Sequence, residues 1–207
     1  MSVARRLRDL LLAAIALLLA GPLMLVIAAL VRVTSPGPVL FRQTRLGHLE
    51  RPFQMLKFRT MYVHCDEAVH REYVTRMFGG EELFQGGAAT LFKLEHDPRI
   101  TRVGSFLRRT SLDELPQLLN VLRGDMSLVG PRPAMPWEVA LYLPHHRERF
   151  QVAPGMTGLW QVRGRSRLSG PRGLELDVEY VRRRTFALDL WILAMTLPAV
   201  LRAGDTR

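Results

Sequence analysis

The chain has a single cysteine, Cys65. One thiol cannot form an intramolecular disulfide, so the fold holds without covalent staples, consistent with a reducing compartment. His64 and Asp66 flank it, but the ligand spacing is poor and no second cluster completes a metal site. No internal repeat or low-complexity tract is evident, which leaves one compact domain with attachments as the expectation for 207 residues. No recognised nucleic-acid motif appears either, although the net charge is +10. That charge suits an anionic partner: nucleic acid, an anionic lipid surface or a phosphorylated substrate. A solvated basic surface accounts for it equally well. Charge is missing altogether from one place, between Leu10 and Val31.

An uncharged run of about 22 residues makes a helix of roughly 33 Å, enough to cross a bilayer core. It is longer than the apolar part of a signal peptide, and no A-x-A-like cleavage site follows it. Gly21-Pro22 interrupts its middle, where proline removes an intrahelical hydrogen bond and kinks the chain. Arg5, Arg6 and Arg8 flank one end and Arg32 the other, and the positive-inside tendency would keep both ends cytoplasmic. A helix that enters one leaflet, bends at Pro22 and returns satisfies both facts. An ordinary kinked transmembrane helix satisfies the proline alone, and on these residues the two stay open.

Thr34 to Pro38 is a turn cluster that stops the helix. Val39 to Gln43 and Phe53 to Met61 read as the strands of a β-hairpin, with Gly47 to Pro52 as its turn. Lys57 and Arg59 lie on the second strand, either as phosphate ligands or as its polar face. Residues 64–78 read as a polar helix, and the glycine-rich stretch 79–87 as a surface connection or a lid. Thr101 to Arg109 reads as a short basic helix and Pro136 to His146 as another, with His145 and His146 on a solvated face. Leu174 to Arg184 is a charged helix. Phe186 to Leu201, interrupted by Asp189 and Pro198, suits an interfacial helix better than a span.

Between these lies the chemistry. Thr110 to Pro133 carries the acid pair Asp113-Glu114 and closes in a Gly130-Pro131-Arg132-Pro133 turn, with Arg108, Arg109, Arg123 and Arg132 around it. If Asp113 is a helix N-cap, Pro116 falls at N3, where its missing N–H costs little. If Ser111 is the cap, Glu114 completes a capping box and Pro116 costs a bond. Either places Asp113 at a helix N-terminus, whose dipole favours the ionised carboxylate that a nucleophile needs. A plain N-cap aspartate, worth about 1 kcal/mol, needs no chemistry at all. Two adjacent carboxylates can hardly flank a glycosidic bond, which a glycosidase spans with acids roughly 5 Å or more apart. Attack on a phosphate, helped by a divalent cation and arginines, is the better match. Pro154 to Ser166 adds Trp160, Gln161, Arg163 and Arg165, a mix that suits a nucleobase and its phosphates.

KFRTM (57–61), the long segment 97–133 and PGMTGLWQVRGRS (154–166), with a weaker match over 175–196, resemble the bacterial sugar transferases that start glycan assembly on a polyprenol phosphate, the monotopic phosphoglycosyl transferases. The resemblance covers nearly the whole chain. It implies an α+β, mainly helical monotopic membrane protein. Residues 1–36 would form a re-entrant helix broken at Gly21-Pro22, and 37–207 a membrane-associated catalytic domain with a small β-hairpin and interfacial helices. It implies that Asp113 attacks the β-phosphate of a UDP-sugar, releases UMP and keeps the sugar phosphate, which undecaprenyl phosphate then takes. Glu114 would assist in metal binding or proton handling, and Mg2+, held by Asp113 and Glu114, would be required. Lys57, Arg59, Arg109, Arg132, Gln161 and Arg165 are the expected substrate and phosphate ligands. The setting implied is the cytoplasmic face of a bacterial inner membrane, with membrane lipids as partners, no nucleic acid, and a homodimer as a further expectation.

Many members have Ser-Pro where this chain has Gly21-Pro22, and 166–172 is richer in Arg, Gly and Pro than the family pattern. The large fused N-terminal membrane region of some members is missing, so the catalytic core alone is expected. The GLWQV wording looks more like members that transfer glucose or galactose 1-phosphate. The rival reading, a membrane-anchored basic nucleic-acid-binding module, rests on net charge alone.

Overall fold

A computed structural model describes residues 2–63, 75, 99–164 and 170–204. The expected helix over 64–78, the glycine-rich stretch 79–87, His64, Cys65, Asp66 and Arg165 lie outside the described residues, apart from Thr75 in a helical conformation.

The apolar run forms one helix, α1 (Val3–Thr34), opened by Ser2, whose Oγ accepts from the Arg5 N–H. Pro22 lies inside it and does not end it. The break expected at Gly21-Pro22 is therefore corrected to a continuous helix, about 48 Å long at 1.5 Å per residue. Neighbouring turns carry the helix past the one hydrogen bond that proline removes. Leu11, Leu18, Leu19, Leu25, Val26 and Val33 stay exposed along it, while Ala13, Ile27 and Val31 are buried against the rest of the chain.

Both ends of α1 are tied to the same body. At the first, Arg6 donates to the Val121 and Leu122 carbonyls at 2.6 and 2.9 Å, satisfying groups that a helix end leaves orphaned. Arg5 and Arg8 both reach Asp189, at 2.9 and 2.8 Å, and Ser127 Oγ donates to the buried Asp9 at 2.5 Å. At the second, Arg59 donates to the Ser35 and Pro36 carbonyls at 2.6 and 2.8 Å and to Ser35 Oγ at 2.7 Å.

The hairpin forms as expected but shifted. β1 (Leu40–Leu46) pairs antiparallel with β2 (Pro52–Phe58), from Leu40 opposite Phe58 to Leu46 opposite Pro52. α2 (Arg102–Thr110) follows, capped by Thr101, whose Oγ1 accepts from the Gly104 N–H at 2.9 Å. Any Cβ at Gly104 would lie 2.0 Å from the Thr60 carbonyl oxygen, so only glycine lets α2 approach the end of the hairpin this closely. Leu112–Glu114 makes one 3-10 turn, and α3 (Gln117–Arg123) ends at Gly124 with φ 94°. β3 (Ser127–Val129) and β4 (Gly155–Thr157) form a second, parallel pair. The segment expected as one helix over Pro136 to His146 is two 3-10 stretches, Pro136–Leu141 and Pro144–Gln151. Pro144 cannot donate to a continuing helix and suits a new first turn. α4 (Leu159–Arg163), α5 (Gly170–Arg183) and α6 (Phe186–Gly204) complete the chain.

The main core joins Ala13 of α1, Met55, Leu118, Val121, Trp160 and Ile192. A second cluster sets Ile27 and Val31 of α1 against Phe58 and Leu107, with Leu112 and Leu115 packed on it. Asn120, fully buried, staples β2 to α3. Its Oδ1 accepts from the Leu56 N–H at 3.0 Å, and its Nδ2 donates to the Gln54 carbonyl at 2.8 Å.

Candidate active site

The connection from α2 to α3 begins at Ser111, which takes a left-handed conformation with φ 59°. Such a conformation is uncommon outside glycine, and here it turns the chain from one helix into the 3-10 turn that carries the acids. Asp113 is therefore not a helix N-cap. It lies in the 3-10 turn, Pro116 holds the cap position of α3, and neither Ser111 nor Pro116 makes a side-chain cap bond. The dipole argument for an ionised Asp113 fails with it. Asp113 is 9% exposed, and burial pushes its carboxyl up to about 6. Lys57 opposes that rise most, the neighbouring Glu114 adds to it, and Arg108 also opposes it. At pH 7 the carboxylate still prevails by about tenfold.

Lys57 comes from β2, and its Nζ sits 2.7 Å from Glu114 Oε1. Hairpin and acid turn thus meet at this ion pair. Arg108, not the exposed Arg109, is the guanidinium whose field reaches Asp113. Arg59 is buried and its two terminal nitrogens bind the end of α1, while its buried Nε has no hydrogen-bond partner among the described residues; the structure does not bring it to the acids. Arg123 is exposed at the end of α3, and Gly21 and Pro22 lie on α1.

The second group of expected ligands is assembled around the Gly130 to Pro133 turn. Arg132 places its guanidinium 5.6 Å from the Trp160 ring centre, a cation–π contact. Gln161 follows on α4, and its buried Oε1 has no hydrogen-bond partner among the described residues. Arg45 joins the two groups. It is 3% exposed, and burial together with the nearby Arg132 lowers it to about 10, while Glu138, Tyr142 and Glu114 act the other way. Sequence reasoning missed Arg45, because the carbonyl that it binds belongs to Pro133, far along the chain. Its inward position on β1 was the available signal.

His145 and His146 are not a solvated pair. His146 is 3% exposed, and the two Nε2 atoms lie 2.7 and 2.9 Å from Glu175 Oε1. The Leu143 N–H donates to His146 Nδ1 at 3.2 Å, which puts the His146 proton on Nε2. Among the described residues these three are the one cluster of metal-competent side chains, but that tautomer leaves His146 Nε2 a donor rather than a ligand.

Taken together, the site has a buried carboxylate with raised proton affinity, a second acid paired to lysine, and cations leading to an arginine over a tryptophan. Such a set has the chemistry to bind a phosphorylated ligand, and it lies beside the long apolar helix α1. The bacterial sugar transferase model matches residues 1–203, and the chain belongs to that family. The exopolysaccharide production protein ExoY of Rhizobium meliloti is 42% identical over 198 residues, 96% of this chain and 85% of that protein. The UDP-glucose:undecaprenyl-phosphate glucose-1-phosphate transferase of Xanthomonas campestris pv. campestris is 43% identical over 208 residues, 96% of this chain and 39% of its own length. The undecaprenyl-phosphate galactose phosphotransferase of Salmonella typhimurium is 40% identical over 186 residues, 90% of this chain and 38% of its own.

Proposed function

We propose that the protein moves a sugar 1-phosphate from a UDP-sugar to undecaprenyl phosphate and releases UMP, with Asp113 as the covalent nucleophile. An Asp113 carboxylate oxygen attacks the β-phosphorus, the bond to the UMP oxygen breaks, and UMP leaves with that electron pair. The sugar phosphate stays on Asp113 as an acyl phosphate. A polyprenol phosphate oxygen then attacks the same phosphorus, and the Asp113 carboxylate is the leaving group. A mixed anhydride holds roughly the energy of a diphosphate, so both steps are near-balanced. The observation that carries this reading is Asp113 itself: a buried carboxylate, close to neutral in proton affinity, facing Lys57 and Arg108.

Lys57, Arg108 and Arg132 offset the charge of the diphosphate, which a carboxylate must otherwise approach against repulsion. Glu114 orients Lys57 through their ion pair. Gln161, whose buried Oε1 has no partner among the described residues, suits the uracil end, with the core residue Trp160 beneath Arg132 as backing. The adjacent Asp113 and Glu114 oxygens are hard donors whose mutual repulsion a divalent cation would relieve, so the donor set suits Mg2+. Bound there, Mg2+ would supply charge neutralisation to the transferring phosphoryl group.

The membrane mode follows from α1. A helix whose two ends both hydrogen-bond to one folded body cannot place those ends on opposite sides of a bilayer. We infer that α1 dips into one leaflet with its exposed leucines in lipid, and that α6 rests at the interface with Phe186, Leu190, Trp191 and Leu197 outward. Basic residues at both ends of α1 favour the cytoplasmic face of the inner membrane for the catalytic body. The sugar is a hexose, glucose or galactose, on the GLWQV stretch and the names of the relatives. The product would initiate an exopolysaccharide, capsule or O-antigen chain.

The test is intact-mass analysis of the protein with UDP-glucose or UDP-galactose, Mg2+ and no lipid acceptor. A hexose phosphate adduct and stoichiometric UMP are expected, both lost in Asp113→Asn. Transfer by Asp113→Asn at the wild-type rate would overturn the reading.

A further inference from the structure

Four successive carbonyls run through the turn that carries Arg132, and each accepts a hydrogen bond from a distant segment: β4, the Pro144–Gln151 stretch, and, for the last two, neighbouring residues of β1. Pro131 O takes the Gly155 N–H at 2.8 Å. Arg132 O takes Arg149 Nη2. Pro133 O takes Arg45 Nη1 at 3.1 Å, and Ala134 O takes the Leu46 N–H at 2.9 Å. Two of these four donors are buried guanidiniums. Arg149 is held in turn by Asp177 Oδ2 and the Tyr142 hydroxyl oxygen, both at 2.6 Å, and lies over the Tyr142 and Phe150 rings. Arg45 is oriented by Gln43, whose Oε1 accepts from Nε and Nη2 at 3.1 and 2.7 Å.

Satisfying a turn carbonyl does not require a buried charge, since a backbone amide does it twice in this turn. Burying a guanidinium costs more than burying a neutral donor. Arg45 bears a further cost, because Arg132 repels it. An arrangement this expensive has a return if it fixes one side chain and adds positive potential where that side chain meets an anion. We propose that Arg45 and Arg149 are positioning residues that lock the backbone of Arg132, so that its guanidinium stands over Trp160 ready for the diphosphate of the nucleotide sugar. The inference rests on the proposed reading of Arg132 as a diphosphate ligand. It assigns to two buried arginines, from β1 and from the Pro144–Gln151 stretch, the task of setting affinity for that substrate.

The experiment is a double-mutant cycle on the full chain in detergent, with UMP release measured under saturating polyprenol phosphate and Tm recorded for each protein. Arg45→Gln removes the charge and shortens the donor. It is expected to raise KM for the UDP-sugar by about ten- to a hundredfold, the cost of a ligand misplaced by about 1 Å, with kcat changed less. Arg45→Lys keeps charge and one donor and recovers part of that loss. In an Arg132→Ala background, Arg45→Gln should change KM by less than twofold. Arg149→Lys is expected to behave as Arg45→Gln does, and if its Tm collapses the Arg45 pair carries the test. The proposal is wrong if Arg45→Gln has the same effect with and without Arg132, or if it lowers kcat and Tm while KM stays at the wild-type value. Absence of UMP release from the wild type is a separate failure, of the reaction itself. Calorimetric binding of UDP to the same four proteins would then still decide the coupling between Arg45 and Arg132.

Discussion

Asp113→Asn should make the protein more stable while abolishing the covalent step. An aspartate ordinarily ionises near 3.8, and Asp113 in the fold does so at about 6, chiefly because burial penalises the charge. Between those values the folded chain holds a proton that the unfolded chain has lost. Stability therefore falls as pH rises from about 4 to about 6, and the full penalty persists above that. At about 1.36 kcal/mol per tenfold change in proton affinity, the penalty is about 3 kcal/mol. Asparagine is nearly isosteric and carries no charge, so it should recover most of it. For a chain of this length 1 kcal/mol moves Tm by about 2–4 °C, which gives a gain of about 6–12 °C. Scanning wild type and variant in detergent from pH 4 to pH 8 provides the assay. The two curves should meet near pH 4, separate up to pH 6 and run parallel beyond. Equal Tm values across the range, or a variant less stable than wild type at pH 7.5, would refute the claim that Asp113 is held at a cost.

Under the proposed reaction the same ionisation governs the chemistry. Adduct formation with UDP-sugar alone should rise with pH through about 6 and level off above 7, measured as mass-resolved adduct after a short pulse; a flat profile from pH 5 to 8 would contradict it. Lys57→Met removes the largest charge opposing protonation of Asp113. Its pulse profile should shift to higher pH, with a plateau rate lower by about a hundredfold. Asn120→Ala leaves the buried Leu56 N–H and Gln54 carbonyl without their partner and should cost about 2–4 kcal/mol, read as a fall in Tm with KM for UDP-sugar unchanged.

The apolar run, the hairpin and the short basic helix expected over 101–109 were legible because each depends on local pattern, and the structure moves the last by one residue, with Thr101 as its cap. Asp113 and Glu114 stood out in the sequence by their company of cations, and the structure brings Lys57 to them. What could not be read was the exact cation. Arg108 and Arg109 are adjacent and chemically identical, and only the rotation of α2 about its axis decides which one faces Asp113. Arg59 was misread for a similar reason. Its partners are the carbonyls at the end of α1, and backbone carbonyls leave no mark in a sequence. The cap reading of Asp113 failed because the chain makes two short turns in place of one helix, with a left-handed Ser111 at the cap position of the 3-10 turn and Pro116 at that of α3.

That left-handed turn bears on why Asp113, the proposed nucleophile, is buried at all. Leu112 and Leu115 bracket the acid pair and pack on the cluster formed by Ile27 and Val31 of α1 with Phe58 and Leu107. The acids therefore sit on the seam between the catalytic body and the second half of the apolar helix. A nucleophile of low proton affinity could have been placed in open solvent at no cost, but an acyl phosphate there would be exposed to water. Under the proposed reaction the acceptor is a phosphate on a lipid, which approaches along lipid-facing surface, and α1 is the longest such surface in the described chain. Placing Asp113 against the same cluster as Ile27 and Val31 brings the acyl phosphate to the side from which that acceptor arrives. The raised proton affinity of Asp113 is then the cost of this location, and the cations of Lys57 and Arg108 keep it low enough for the carboxylate to prevail at neutral pH.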